Sequence, residues 1–150
     1  MAIPAERIAH MYDYLASATG PTGWIAGIHD GPPETAIGLH GRGVADILEE
    51  RAQFRRSLGL SRTDLPAVRH FSDANQVFLR DGWTTEATCL TFEASPCRSW
   101  HWHPCCNSIQ LRAHGRLFLV DPGRFSYEQR EWNAYAGQTA VHNTINLNGW

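Results

Sequence analysis

The chain has 150 residues, of which 43% are hydrophobic and 19% charged, enough for one domain with a real core. The formal net charge of −2 with histidine neutral gives no electrostatic basis for binding nucleic acid or an anionic membrane surface. No apolar run approaches the ~20 residues of a membrane-spanning helix, and the opening MAIPAERIAHMYDYL, with Glu6 and Asp13, lacks the apolar stretch of a signal peptide.

Pro4 and the spacing of Ile8, Met11, Tyr12 and Leu15 predict a helix over residues 4–18 with those four side chains on its buried face. Gly20 and Pro21 close it. Residues 19–43 are rich in glycine and proline and read as a long ordered loop. VADILEERAQFRRSL, residues 44–58, predicts a second helix, with Val44, Ile47 and Leu48 as its apolar stripe and Gly59 as its stop. From about residue 67 the period changes to that of strands. VRHF, NQVFLR and TEATCLTFEA are short strands separated by turn residues such as Asp81-Gly82.

In NSIQLRAHGRLFLVDPG, Ile109, Leu111 and Ala113 alternate with Gln110 and Arg112. His114-Gly115 forms a tight turn and RLFLVD returns, which predicts a hairpin with Asp121 opposite Ser108. TAVHNTINLNG reads as a last strand with Val141, Asn143, Ile145 and Leu147 on one side. Helices first and an antiparallel sheet afterwards predict an α+β class, or the junction of two domains. The stop within VHNTINLNGW reads as the edge of a fragment of a longer protein.

The stretch SWHWHPCC, residues 99–106, concentrates residues capable of chemistry. His101 and His103 share one side of an extended segment, and Pro104 prevents ordinary ladder bonding beside them. Two such imidazoles suit a metal, a general acid/base pair, or two partly exposed histidines on a sheet edge. Cys97, His101, His103 and Cys105 offer a rival, a compact zinc knot, although their spacing is not that of a zinc finger or ribbon. Adjacent Cys105 and Cys106 do not make a disulfide framework, and Cys89 reads as a small core residue.

Asp121 is a turn residue unless the chain near Pro104 breaks the strand alternation and lets His103 reach it. His142 reads as a structural hydrogen-bonding residue or a ligand. Tyr127, Trp132 and Tyr135 lie in the polar stretch GRFSYEQREWNAYAGQ. Their rings fit sugar stacking, and Trp132 and Tyr135 fit equally a helical i, i+3 pair.

The order FSDANQVFLRDGW, HWHPCCNSIQLRAHGRLFLVDPG, YEQREWNAY and HNT, over roughly residues 68–150, resembles the heparinase II/III-like family of polysaccharide lyases. A weaker echo at GIHDG, residues 27–31, is similar to the loop near the end of that family's helical domain. The resemblance implies the last helices of an (α/α) toroid over residues 1–66 and the first part of an antiparallel β-sandwich over 67–150. It implies β-elimination on a uronic-acid-containing acidic polysaccharide, and a periplasmic or secreted location. His101 and Tyr127 would carry the proton chemistry, and Trp102, Asn107, Trp132 and Tyr135 would line the substrate. His103, Asp121 and His142 would bind zinc as a scaffold. The family often has aspartate where Cys105 stands and arginine where Asn133 stands. The asparagine, histidine and tyrosine usual in its toroid have no counterpart here, so the fragment alone is expected to be inactive. A non-catalytic carbohydrate-binding or scaffold module of the same fold is the alternative.

Overall fold

The computed structural model describes residues 3–29, 31, 44–59, 64–95, 103–124, 128 and 130–147. Helix α1 spans Ala5–Ala18 and α2 spans Val44–Ser57. Five strands follow: β1 Val68–Phe71, β2 Gln76–Arg80, β3 Cys89–Glu93, β4 Ser108–Ala113 and β5 Arg116–Leu119. They form one antiparallel meander in chain order. A short helix α3, Arg130–Ala136, and a 3-10 turn at Thr139–Val141 come after the sheet. Among the described residues no helix is long and apolar enough to cross a membrane.

Pro4 precedes α1 with φ −57°, pre-set for the helix start. Gly59, at φ +68°, occupies the left-handed conformation that stops α2. The buried face of α1 differs from the one the apolar spacing predicts. Ala9, Asp13, Ala16, Ser17 and Ala18 are buried, whereas Met11 is 63% exposed. Ile8, Met11, Tyr12 and Leu15 instead line an open apolar cleft together with Tyr14 and Glu50. Small residues win the inner face because they let the helix approach its neighbours closely. Asp13 is held there by Arg51 of α2 at 2.5 Å, with Arg69 of β1 at 3.6 Å from its other oxygen. One carboxylate thus ties α1, α2 and β1 together. Ala16, Ile47 and Leu65 form the apolar core, and Leu15, Ile25, Leu48 and Trp83 pack on it.

The sheet is inverted relative to the usual pattern. In β4 the buried residues are Ser108, Gln110 and Arg112, while Ile109, Leu111 and Ala113 are only half-buried. The register extends this across the strands. Arg80, Cys89 and Arg112 form one row, Phe78, Thr91 and Gln110 a second, and Gln76, Glu93 and Ser108 a third. All nine side chains are buried. On the opposite face Val68, Leu79, Leu90, Leu111 and Leu119 form an apolar row through all five strands, with Val68 57% exposed.

The buried polar face is covered by α1 and the segment that follows it. Arg80 donates to the carbonyls of Ser17 at 3.0 Å and Thr19 at 2.7 Å, satisfying the open end of α1. Arg112 donates to Trp24 and Ile25 carbonyls at 3.3 and 3.1 Å, and Gln110 donates to the carbonyl of Gly27. A methyl group at Gly20 would meet the Arg112 side chain at 3.0 Å, so that position admits only glycine without a shift. Tyr14 fills the remaining corner, its ring edge-on to Phe71 and Phe78 at 5.0 and 5.5 Å.

Among the described residues 139–147 the predicted last strand does not form. Residues 139–144 turn repeatedly, and Ile145 and Leu147 are 80% and 72% exposed. Its polar side chains are spent on turn and cross-chain hydrogen bonds rather than on a ladder. Truncation of Ile47 to alanine is expected to cost about 2–5 kcal/mol of stability. Met11→Ala, at the position predicted to be buried, is expected to change stability by less than about 0.5 kcal/mol. Denaturant unfolding of the two variants measures both.

Candidate functional site

The hairpin β4–β5 turns at His114 and Gly115, both with positive φ, 49° and 67°, as a two-residue hairpin requires. Its first pairs are Ala113 with Arg116 and Arg112 with Leu117. A register shift between Leu111 and Arg112 then places Leu119 opposite Leu111, and β5 ends. The pairing of Asp121 with Ser108 expected from an unbroken hairpin is therefore not made. A bulge adds a residue to one strand and turns the chain away from its partner.

Residues 142–144 occupy the place that β5 vacates. The carbonyl of Asn143 accepts the Ile109 N–H at 3.0 Å. The Asn143 amide donates to the Val120 carbonyl at 2.9 Å, and the Thr144 hydroxyl donates to the Cys106 carbonyl at 2.7 Å. These bonds pin His142 beside Asp121, with Nδ1 2.8 Å from Oδ2. The other Asp121 oxygen accepts the Gly123 N–H at 2.9 Å. Both side chains are buried, at 0% and 3% exposure.

His103 lies against this pair, its ring centroid 5.6 Å from that of His142. It reaches there because the chain turns sharply at Pro104, where the Cys105 N–H bonds back to the His103 carbonyl at 2.8 Å. That turn breaks the strand alternation beside His103. Cys105, Cys106, Asn107 and Ser108 then form a second turn, closed from Ser108 N–H to the Cys105 carbonyl at 2.9 Å. Asn107 has φ 61° in this turn and is exposed, a conformation asparagine tolerates better than most residues.

Of the three side chains expected to bind zinc, Asp121 and His142 are hydrogen-bonded and the His103 ring lies beside His142, all three buried. Two imidazoles and a carboxylate suit zinc in kind. His142 Nε2 is buried without a hydrogen-bond partner among the described residues, a donor atom that an ion would satisfy. Among those residues no three His, Cys, Asp or Glu side chains already stand around a common point that would hold a metal. Asp121 accepts from His142 Nδ1 and so orients the ring; an ion on Nε2 would lie on the far side of the ring from Asp121, and one held by both residues would take the place of this hydrogen bond.

His101, Trp102, Tyr127 and Cys97 lie outside the described residues. Trp132 and Tyr135 stand on α3, edge-on at 6.2 Å, and are 58% and 52% exposed. This is the helical i, i+3 pair. Cys105 is buried, and burial, helped by the charges of Asp121 and Glu93, pushes its thiol up to about 12. It is a protonated thiol rather than a ready metal ligand. Cys89 is buried in the sheet, as its alternation predicts.

A polar seam that no sequence motif marks runs from α1 to Cys105. The Tyr14 hydroxyl donates to Gln76 Oε1 at 2.6 Å, and Gln76 Nε2 donates to Glu93 Oε2 at 2.6 Å. Ser95 N–H donates to the other Glu93 oxygen at 2.8 Å. The Ser95 hydroxyl lies 3.2 Å from His29 Nε2. His29 Nδ1 lies 3.4 Å from the Cys105 sulfur and 3.5 Å from the His103 N–H. The pairing of Gln76 with Glu93 follows from the β2–β3 register, which the structure supplies.

Two outcomes follow from these contacts. Asp121→Ala strands His142 Nδ1 and the Gly123 N–H, and is expected to lower the unfolding free energy by about 3 kcal/mol in a denaturant titration. Burial, then the Glu93 charge, raises the Tyr14 phenol from 10.0 to about 12. The unfolded chain therefore releases this proton first. Stability from this group is intact below pH 10 and falls as pH rises toward 12. Melting temperatures across that range are expected to fall less steeply for Tyr14→Phe.

Comparison with known proteins places these contacts in a family. The sequence profile described as heparinase II/III-like, C-terminal, matches residues 63–150. A heparin-sulfate lyase of Bacteroides stercoris is 36% identical over 76 residues, which cover 46% of this chain and 11% of that protein. The heparan sulfate lyase HepC of Pedobacter heparinus shares the fold, with a TM-score of 0.75 at 21% identity over 96% of this chain and 24% of its own. A structure titled Heparinase III-BT4657 gene product gives a TM-score of 0.72 at 19% identity, again over 24% of its length. The chain therefore spans about a quarter or less of the proteins it matches. It belongs to the heparinase II/III-like family, and its matched part corresponds to that family's C-terminal region.

Proposed function

We propose that this chain is part of a polysaccharide lyase that cleaves a uronic-acid-containing polysaccharide, of the heparin or heparan sulfate kind, by β-elimination. The observation that carries the reading is the heparin-sulfate lyase relative at 36% identity, joined to the buried Asp121–His142 pair with the His103 ring beside His142. In that reaction a base removes the C5 proton of the uronate. The C5–H electron pair forms the C4–C5 double bond, the C4–O4 bond breaks, and the leaving oxygen takes a proton. His101 and Tyr127 are the groups assigned to these proton transfers and to the charge that spreads onto the sugar carboxylate. Trp102, Asn107, Trp132 and Tyr135 are assigned to the substrate; the exposed rings of Trp132 and Tyr135 on α3 suit stacking on sugar faces.

His103, Asp121 and His142 would hold zinc. When bound, the ion supplies a cross-link between the Pro104 turn, the end of the hairpin and the 142–144 segment. The Pro104 turn and the ring of His142 hold His103, the residue two positions after His101. Residues 1–66 are read as the end of an (α/α) toroid and 67–150 as the start of a β-sandwich. The half-exposed row from Val68 to Leu119 is the surface that a second sheet would cover. A periplasmic or secreted location, with an acidic polysaccharide as the partner, accompanies this reading. Binding to nucleic acid or membrane is not part of it.

One observation favours a second reading, a carbohydrate-binding or scaffold module without turnover. Both Asp121 oxygens already accept bonds from protein donors, so the site closes without an ion. The test uses the full-length protein with heparan sulfate, following the ultraviolet absorbance of the unsaturated uronate. The lyase reading expects an absorbance rise that His101→Ala lowers by about 100-fold or more, and zinc that is lost in His142→Ala. Binding without any absorbance rise across uronate polymers establishes the second reading instead.

A further inference from the structure

His29 stands with φ 54°, in the left-handed region where a β-carbon is strained. A non-glycine residue persists there where surrounding contacts hold it. Here those contacts are specific. The His29 ring is wedged between Ser95, next to β3, and the turn that carries His103 and Cys105. A backbone N–H can only donate, so His29 Nδ1 must accept from His103, which leaves the proton on Nε2 facing the Ser95 hydroxyl. Ser95 is in turn held through its own N–H by Glu93 at 2.8 Å. Glu93 is buried in the sheet, with Gln76 on its other oxygen at 2.6 Å.

We propose that His29 is a positioning residue: supported from behind by Ser95 and Glu93, it clamps the Pro104 turn to the sheet and so sets the His103 ring against His142. The clamp lies in the segment between the helices, whereas the residues it positions lie in the sheet half of the chain. It is thus the point where the 16–29 segment acts on the candidate site. Loss of the ring frees the turn while the rest of the fold keeps its other bonds. The asparagine side chain offers an acceptor and a donor near the same place, and asparagine tolerates positive φ.

The proposal deepens the lyase reading and rests on it for its kinetic consequence, while thiol labelling reads the clamp alone. In the full-length protein, native alkylation with iodoacetamide is followed by peptide mass spectrometry. Cys106 is exposed and Cys89 and Cys105 are buried, so they serve as the open control, the global-unfolding control and the reporter. His29→Ala is expected to make Cys105 reactive while Cys89 stays protected, and His29→Asn to restore the protection. On heparan sulfate, His29→Ala is expected to lower kcat by about 10–100-fold with little change in KM, and His29→Asn to recover most of it. The clamp is overturned if Cys105 remains protected in His29→Ala, or if Cys89 and Cys105 become reactive together. A wild-type protein without lyase activity overturns the lyase reading but leaves the labelling result to decide the clamp.

Discussion

The constraint that organises this structure is the burial of the polar face of its sheet. Arg80, Arg112, Gln110, Gln76 and Glu93 are all removed from water, and each such group is costly unless it finds a partner. For the two arginines and the two glutamines the partners come from α1 and the segment after it, while Glu93 is met by Gln76 and the Ser95 N–H. The carbonyls of Ser17, Thr19, Trp24, Ile25 and Gly27 meet the three long side chains, and Tyr14 meets Gln76. Hydrogen bonds are directional, so this interface has one register. A purely apolar contact would allow the segment to slide.

That directionality is what the candidate site inherits. The same seam that begins at Tyr14 ends at His29, and His29 touches the turn that presents His103. On the far side, Asn143 and Thr144 anchor to Ile109, Val120 and Cys106, which sets His142 on Asp121. The site is thus held from two directions by bonds that have little to do with its own chemistry. Such outer contacts decide whether ligating or catalytic groups stand within reach of one another.

The half-exposed apolar row from Val68 to Leu119 is the complement of this arrangement. A sheet with its polar side already covered keeps its apolar side for another layer, and large exposed apolar surfaces mark interaction sites. The apolar cleft formed by Ile8, Met11 and Tyr12 on α1 has the same character. Both surfaces fit a chain that spans about a quarter of the solved structures it matches.

Read alone, the amino-acid order set most of the local structure. Proline and glycine placed the ends of α1 and α2, and the two-residue periods located all five strands. His114-Gly115 set the hairpin turn, because only a few residue types accept its dihedral angles. The ordered motifs around H-x-H-P, D-P-G and H-N-T identified the family. Tertiary structure decided which faces are inside. Periodicity shows that Ile109 and Gln110 point in opposite directions, but not that the covering layer brings carbonyls rather than hydrocarbon. It also decided the bulge at Leu111, the replacement of a last strand by the turns around His142, and the role of His29. Apart from the bulge, which lies within the hairpin itself, these rest on contacts between residues more than twenty positions apart, and no local preference in the chain encodes such a contact.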